Sequence, residues 1–299
     1  MAKCTHFITI VYPQNDFSGE VPITDKILTK TLELINNHNG KDVQITRLSD
    51  NAFDILFNYK GGIFELDEIR HYVDCGIGKT NSRDKKIFIS DMDSTIIAHE
   101  TLNDVAEHLG LKEQVAKITD LAMSGKINFE SSLKQRVKLL SGKSAQAFDI
   151  IHSNLIIHQG VETTLKTLKK YNVKTALVSG GFDITVKLVA EKLGFDYTYA
   201  NTIEFDNGII TGNLIGDILG QEAKKQILLS LCEKYNTTPK NSIAIGDGAN
   251  DLDMINCSDM GIAYVGKPIV RKDADFQINL TDFTTVLYFM GLKKSDWVS

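Results

Sequence analysis

The chain is poor in the residues that stiffen or cross-link a small protein: of its 299 residues, 4 are proline, 4 are cysteine and 1 is tryptophan. Cys4, Cys75, Cys232 and Cys257 are scattered, form no C-x-x-C pair and have no histidine at zinc-ligand spacing. Neither a disulfide framework nor a zinc module is encoded, and the four read as reduced thiols in a cytoplasmic protein. No run approaches the roughly 18 apolar residues of a membrane span, and the opening Met1-Ala2-Lys3-Cys4-Thr5-His6 lacks the apolar stretch of a signal peptide. Positive charge is also short, with 33 Lys and Arg against 38 Asp and Glu for a net charge of −5. A surface built for nucleic acid or membrane lipid is therefore excluded, and any phosphate site must be local. What remains is an ordinary globular composition, 42% hydrophobic and 24% charged, long enough for two domains or one domain with a large insertion.

Residues 5–12 are β-branched and aromatic and stop at Pro13, which predicts a strand. Leu28, Leu32 and Ile35 recur at helical spacing between Asp25 and about Asn36, where an Asn- and Gly-rich cluster ends the pattern. Strands around residues 43–45 and 53–57, a turn at 49–51 and a short helix from Leu66 to Val73 complete a βαββα unit, assigned to a small N-terminal α+β domain over residues 1–79. The polar, glycine-bearing stretch 76–84 marks the boundary. From residue 85 to 299 the pattern changes to short apolar strands at 86–90, 174–178, 242–245 and 260–263 alternating with amphipathic helices, as in a Rossmann-like parallel α/β sheet. Asn207-Gly208 marks a hairpin. The first two strands of this sheet are separated by far more chain than a crossover needs, so residues 100–157, helical in pattern, read as an inserted cap.

The chemistry should lie where strands end, because open α/β sheets bind ligands outside the carboxyl ends of their strands. Asp91-Met92-Asp93-Ser94-Thr95 follows the first sheet strand. Two aspartates at i and i+2 can divide labour, one attacking an electrophile and the other moving a proton, while Mg²⁺ offsets their crowding. A bare D-x-D is more often a solvated acidic turn, but this one has companions. Ser179-Gly180-Gly181 after the second strand can cradle an anion. Gly246-Asp247-Gly248-Ala249-Asn250-Asp251 after the third can complete a hard-oxygen metal site with Asp91. Lys224, alone, would read as solvated.

These four features, in this order, resemble the motifs of the haloacid dehalogenase-like phosphotransferases. Glu100, nine positions after Asp91, and the segment from Met123 through Phe129 to Arg136 narrow the similarity to the phosphoserine phosphatase branch. The resemblance covers about residue 85 onward. It implies an α/β fold with a helical cap, Mg²⁺ as cofactor and O-phospho-L-serine as substrate. It also implies Asp91 as nucleophile and Asp93 as acid/base, with Mg²⁺ held by Asp91, the main-chain carbonyl of Asp93 and Asp247. Ser179, Gly180 and Lys224 would contact the phosphate, with Asn250 near it and Asp251 supporting the lysine. Glu100 and Arg136 would take the substrate ammonium and carboxylate, with Met123 and Phe129 closing over it; taken singly, either charge would read as a surface residue. His99 receives no role.

The N-terminal unit is similar to small ferredoxin-like or ACT-like modules. Amino-acid sensing, pairing into a homodimer and plain packing stay open as its function, and no clear final strand is visible before the boundary. Two rivals stand beside the main reading. One is a relative acting on another small phosphomonoester or passing the phosphoryl group to homoserine. The other is a non-catalytic amino-acid-binding regulator, which intact Asp91, Asp93, Lys224 and Asp247 disfavour.

Overall fold

Asp25 starts the first helix because its carboxylate accepts the otherwise orphaned amides of Ile27 and Leu28, at 2.8 and 3.4 Å. In the computed structural model, which describes residues 4–13 and 25–298, that helix, α1 (Lys26–Asn37), follows β1 (His6–Val11) and precedes β2 (Lys41–Ser49), β3 (Ala52–Asn58) and β4 (Asp74–Lys79). The helix expected over residues 66–73 is instead a run of hydrogen-bonded turns, with Ile69 and Arg70 donating to the Leu66 carbonyl and Val73 to that of Ile69. Eight residues hardly repay helix nucleation. What holds the segment is burial of Leu66, Ile69 and Val73 against α1 and the sheet.

The second correction concerns the boundary. Gly76 to Lys79, read from sequence as part of the polar boundary stretch, belong to β4, the final strand the sequence did not reveal, which pairs antiparallel with β1 on one side and with a strand of the C-terminal half on the other. Its glycines serve close approach rather than flexibility: a Cβ on Gly76 would lie 2.0 Å from the Phe276 ring, and one on Gly78 would lie 2.8 Å from Phe7.

The chain continues through β5 (Ile87–Ser90) into four helices, α2 (Thr101–His108), α3 (Lys112–Met123), α4 (Phe129–Leu139) and α5 (Asp149–Ser153). Then come α6 (Val161–Lys170), β6 (Lys174–Phe182), α7 (Asp183–Leu193), the hairpin β7 (Tyr197–Asp206) and β8 (Ile209–Ile215), and α8 (Gln221–Lys234). The remainder is β9 (Ser242–Gly246), α9 (Leu252–Cys257), β10 (Met260–Tyr264), α10 (Pro268–Asp273), β11 (Phe276–Ile278) and α11 (Thr285–Phe289). Left-handed Gly194 closes α7, and positive φ at Asn207 and Gly208 turns the hairpin.

Among the described residues, eleven strands form one sheet in the order β2-β3-β1-β4-β11-β10-β9-β5-β6-β7-β8. The segment from β11 to β7 is parallel, and β5, β9 and β10 are buried throughout, as strands covered on both faces must be. The halves are tied by more than the sheet. Phe7 and Leu56 pack into the same apolar cluster as Phe88, Ile262 and Phe289. Arg83 makes a bidentate pair with Asp54 at 2.6 and 2.7 Å while stacking on Phe7, and the buried Asp74 carboxylate accepts the amides of Asn279, Leu280 and Thr281. The cap has its own core of Leu102, Val105, Leu133, Val137 and Phe148, closed against Phe182, Ile203 and Ile210.

Candidate active site

Because β5, β6 and β9 run parallel side by side, the loops after them meet at one edge. Asp91 leaves β5 with its amide still bonded to the Ile245 carbonyl at 3.0 Å, and the next turn folds back as Thr95, Ile96 and Ile97 donate to the Met92 carbonyl. Ser94 is left-handed there, with φ of 58°. Its amide bonds the His99 carbonyl and its hydroxyl donates to Glu100 Oε1 at 2.9 Å. His99, given no role from sequence, pins the start of the cap to its end: its ring pairs with Asp104 at 2.8 Å and accepts the Ile156 amide.

The loops converge on Lys224, whose side chain is 1% exposed. Its ammonium donates to Asp91 Oδ1 at 2.5 Å and to Asp251 Oδ1 at 2.7 Å. Burial by itself would make this lysine a weaker base; Asp251 and Asp91 outweigh it and hold its pKa above the ordinary lysine range. Asp251 Oδ2 also accepts the Gly248 amide, and the carboxyl lies so close over Gly246 that a Cβ there would be 2.4 Å away. Burial pushes the Asp91 carboxyl well above the usual range, with repulsion from Asp251 and Asp93 adding to it and Lys224 opposing.

Asp93 sits across the crevice. Its Oδ1 accepts both the amide and the hydroxyl of Thr101, at 3.1 and 2.5 Å, and its Oδ2 accepts the Ser179 hydroxyl at 3.3 Å. Ser179 Oγ in turn accepts the Gly181 amide at 2.8 Å. Burial raises the Asp93 carboxyl above its ordinary value despite these donors. Gly180 is held by Asn201, which donates to its carbonyl and accepts the Leu219 amide.

Asp91, Asp247 and Asp251 each offer an oxygen within 4.8 Å of the others, all three residues being buried. Such a set of hard carboxylate oxygens suits a divalent cation. Lys224 and the Gly248 amide engage both Asp251 oxygens, whereas lysine ammonium groups engage Asp91 through Oδ1 and Asp247 through Oδ2. Burial also raises the Asp247 carboxyl, against the pull of Lys267. Lys267 is bolted to Asp247 twice, by its ammonium at 3.0 Å and its amide at 2.8 Å.

Glu100 lies at the start of α2 and Arg136 in the last turn of α4. Burial raises Glu100 and lowers Arg136 from their ordinary values, and the field of each acidic neighbour is felt: Asp93 by Glu100, and Glu100 by Arg136. Phe129, first in α4, reaches Gly180 and the residue before α8, with its ring 3.1 Å from where a Gly180 Cβ would stand and 3.7 Å from that of Gly220. Asn250 is half-buried beside Gly248. Met123 ends α3, and its side chain lies outside the described residues. A cavity of about 680 Å³ borders Phe129, Gly220 and Tyr199 but none of Asp91, Asp93, Lys224 or Asp247.

Thr101, Asn201 and Lys267 escaped the sequence reading. For Lys267 a signal existed, since Gly266-Lys267-Pro268 follows β10 at the same sheet edge. Thr101 and Asn201 carry none, because their roles depend on what the fold sets opposite them.

The chain is similar to known proteins. The family model for haloacid dehalogenase-like hydrolases matches residues 88–256. Phosphoserine phosphatase of Saccharomyces cerevisiae is 36% identical over 273 residues, covering 86% of this chain and 88% of the relative. That of Methanocaldococcus jannaschii is 38% identical over 206 residues, covering 69% of this chain and 98% of the relative. Among solved structures, a HAD family hydrolase of Salmonella enterica serovar Typhi matches 96% of this chain and 98% of its own, with a TM-score of 0.80 at 28% identity. The chain thus belongs to the haloacid dehalogenase-like hydrolases and, within them, to the phosphoserine phosphatases.

Proposed function

We propose that the chain hydrolyses O-phospho-L-serine to L-serine and phosphate through an aspartyl-phosphate on Asp91, the step that ends phosphorylated serine biosynthesis in the cytoplasm. The observation that carries the chemistry is the pair of unlike carboxylates. Asp91 is bound to a buried lysine, and Asp93, two residues on, is held by hydroxyl and amide donors.

An Asp91 oxygen bonds to phosphorus as the bond from phosphorus to the serine oxygen breaks. That oxygen keeps the bonding pair and takes a proton from Asp93, which becomes a carboxylate. Lys224, the Ser179 hydroxyl and the Gly180 amide offset charge on the phosphoryl oxygens, which is most of what phosphoryl transfer asks of a protein. Asp93 then takes a proton from water as the water oxygen attacks phosphorus. The bond to Asp91 breaks, phosphate leaves and both aspartates return to their starting states. Mg²⁺, when bound by Asp91, the main-chain carbonyl of Asp93 and Asp247, supplies positive charge beside the same oxygens. Asp251 keeps Lys224 in place, and Asn250 stands near the phosphate.

Substrate choice rests with the cap. Glu100 receives the ammonium, Arg136 the carboxylate, and Phe129 with Met123 covers the bound amino acid. These groups lie after residue 85, and the first 79 residues act as a supporting unit. The test is phosphate release from phosphoserine, phosphoethanolamine and phosphoglycolate with and without Mg²⁺. Phosphoserine should exceed the other two in kcat/KM, and all activity should need the metal. Equal rates on all three would remove the amino-acid reading.

A further inference from the structure

Asp93 has two oxygens, and only one can deliver a proton to the leaving group. Oδ1 is saturated, since the Thr101 amide and hydroxyl both point at it. Oδ2 has the Ser179 hydroxyl alone, at a longer 3.3 Å, and lies over Gly181, where a Cβ would stand 3.0 Å from it. The oxygen beside the anion cradle is therefore the one left with capacity. Both donors to Oδ1 come from the first residue of α2, at the start of the inserted helices rather than from the sheet. The Ser94–His99 bond closes the intervening loop, and the His99 contacts with Asp104 and Ile156 fix its far side.

We propose that Thr101 is a positioning residue for the hydrolysis: its two donors engage Asp93 Oδ1 and so present Oδ2 to the leaving oxygen, making proton delivery depend on how the cap is seated. This rests on the reading of Asp93 as the acid. Thr101 is 1% exposed, so its hydroxyl has no competing water and its loss frees the carboxylate to rotate. Nucleophilic attack by Asp91 does not pass through this contact.

The test uses the Mg²⁺-loaded full chain and single-turnover rates of enzyme phosphorylation at saturating phenyl phosphate and p-nitrophenyl phosphate. The two esters are close in shape, but only the first has a leaving group that depends strongly on protonation. Thr101→Val keeps the shape and the amide while removing the hydroxyl; Thr101→Ala removes it independently, and Thr101→Ser keeps it. Misplacing the acid by about 1 Å is enough to slow phenyl phosphate by about 10- to 100-fold, while p-nitrophenyl phosphate loses less than about threefold. Thr101→Ser should stay within about threefold of wild type on both esters, although losing a buried methyl makes it melt lower. A purely structural role predicts the opposite ranking, with rates following melting temperature. Thr101→Val and Thr101→Ala slowing both esters alike, or neither, overturns the proposal. Asp93→Asn separates the two levels. If it slows both esters alike, the acid role falls and this inference with it. If it discriminates and the Thr101 variants do not, only the role of Thr101 falls.

Discussion

Gly246→Ala puts the smallest possible side chain where the Asp251 carboxyl already sits. The new Cβ would stand 2.4 Å from Asp251 Cγ and Oδ2, and ordinary contact begins at 3.4 Å, so the carboxyl must retreat by about 1.0 Å. That distance breaks the 2.7 Å bond to Lys224 and the 3.1 Å bond from Gly248. Lys224 is then held by Asp91 alone, and its ammonium drifts toward the nucleophile and away from the phosphate. Overpacking of this kind costs about 1–3 kcal/mol of stability, and a displacement near 1 Å in a positioning group costs about 100-fold in rate. Denaturant unfolding reads the first and steady-state kcat the second. The mechanism of the damage has its own signature. Asp251→Gly removes the Cβ, 2.6 Å from the new methyl, together with the carboxyl and so empties the space that methyl needs; the double variant should be about 1–3 kcal/mol more stable than additivity predicts while kcat stays low. A Gly246→Ala protein with wild-type kcat, or a strictly additive double variant, would refute the claim that this glycine exists to seat Asp251.

Arg136→Ala should cost about 2–5 kcal/mol in kcat/KM for phosphoserine, by leaving its carboxylate unmatched under the cap, and far less for phosphoethanolamine, which has none. Glu100→Gln should penalise phosphoserine more than phosphoglycolate, which lacks the ammonium; uniform losses in either variant would show that these residues are not a substrate clamp. Asp91→Asn keeps the shape of the nucleophile but not its charge, so turnover should fall by several orders of magnitude with the fold intact; appreciable activity in material checked for deamidation rules out covalent catalysis. Asp91, Asp93 and Asp247 all sit above the ordinary carboxylate range, so the stability they contribute without metal is full below about pH 4 and is lost as pH rises through their raised values. The rise in melting temperature on adding Mg²⁺ should therefore grow from pH 5 to pH 8, and a constant or shrinking increment contradicts these charge assignments. Deleting residues 1–79 removes β4, uncovers Phe276 and strips the Asp74 bonds from the loop after β11. A large fall in melting temperature is expected. A truncated chain melting within about 3 °C of the full one would mean that the N-terminal unit only leans on the sheet.

Local order was legible wherever a residue's neighbours in sequence are also its neighbours in space. The β5 strand with Asp91 and Asp93 at its end, the Asn207-Gly208 hairpin and the helix closing at Gly194 each declare themselves within a few residues. The same holds for the excess chain between β5 and β6, too long for a crossover and periodic enough to be helical. Strand β4 was hidden because the signal that identifies a strand is its side chains, and Gly76 and Gly78 have given theirs up to make room for Phe276 and Phe7. The turns at 66–73 were misread because apolar spacing reports burial, and burial there comes from α1 and the sheet rather than from a helix's own bonds. Thr101, Asn201 and Lys267 mark the limit of local reading: each is an ordinary polar residue until the parallel sheet sets its donors opposite Asp93, Gly180 and Asp247. The residue types and their order along the chain suffice to name the chemistry. Which oxygen faces which donor is decided only in three dimensions, because hydrogen bonds and desolvation act over a few ångströms between groups far apart in sequence, such as Asp91 and Lys224, 133 residues apart.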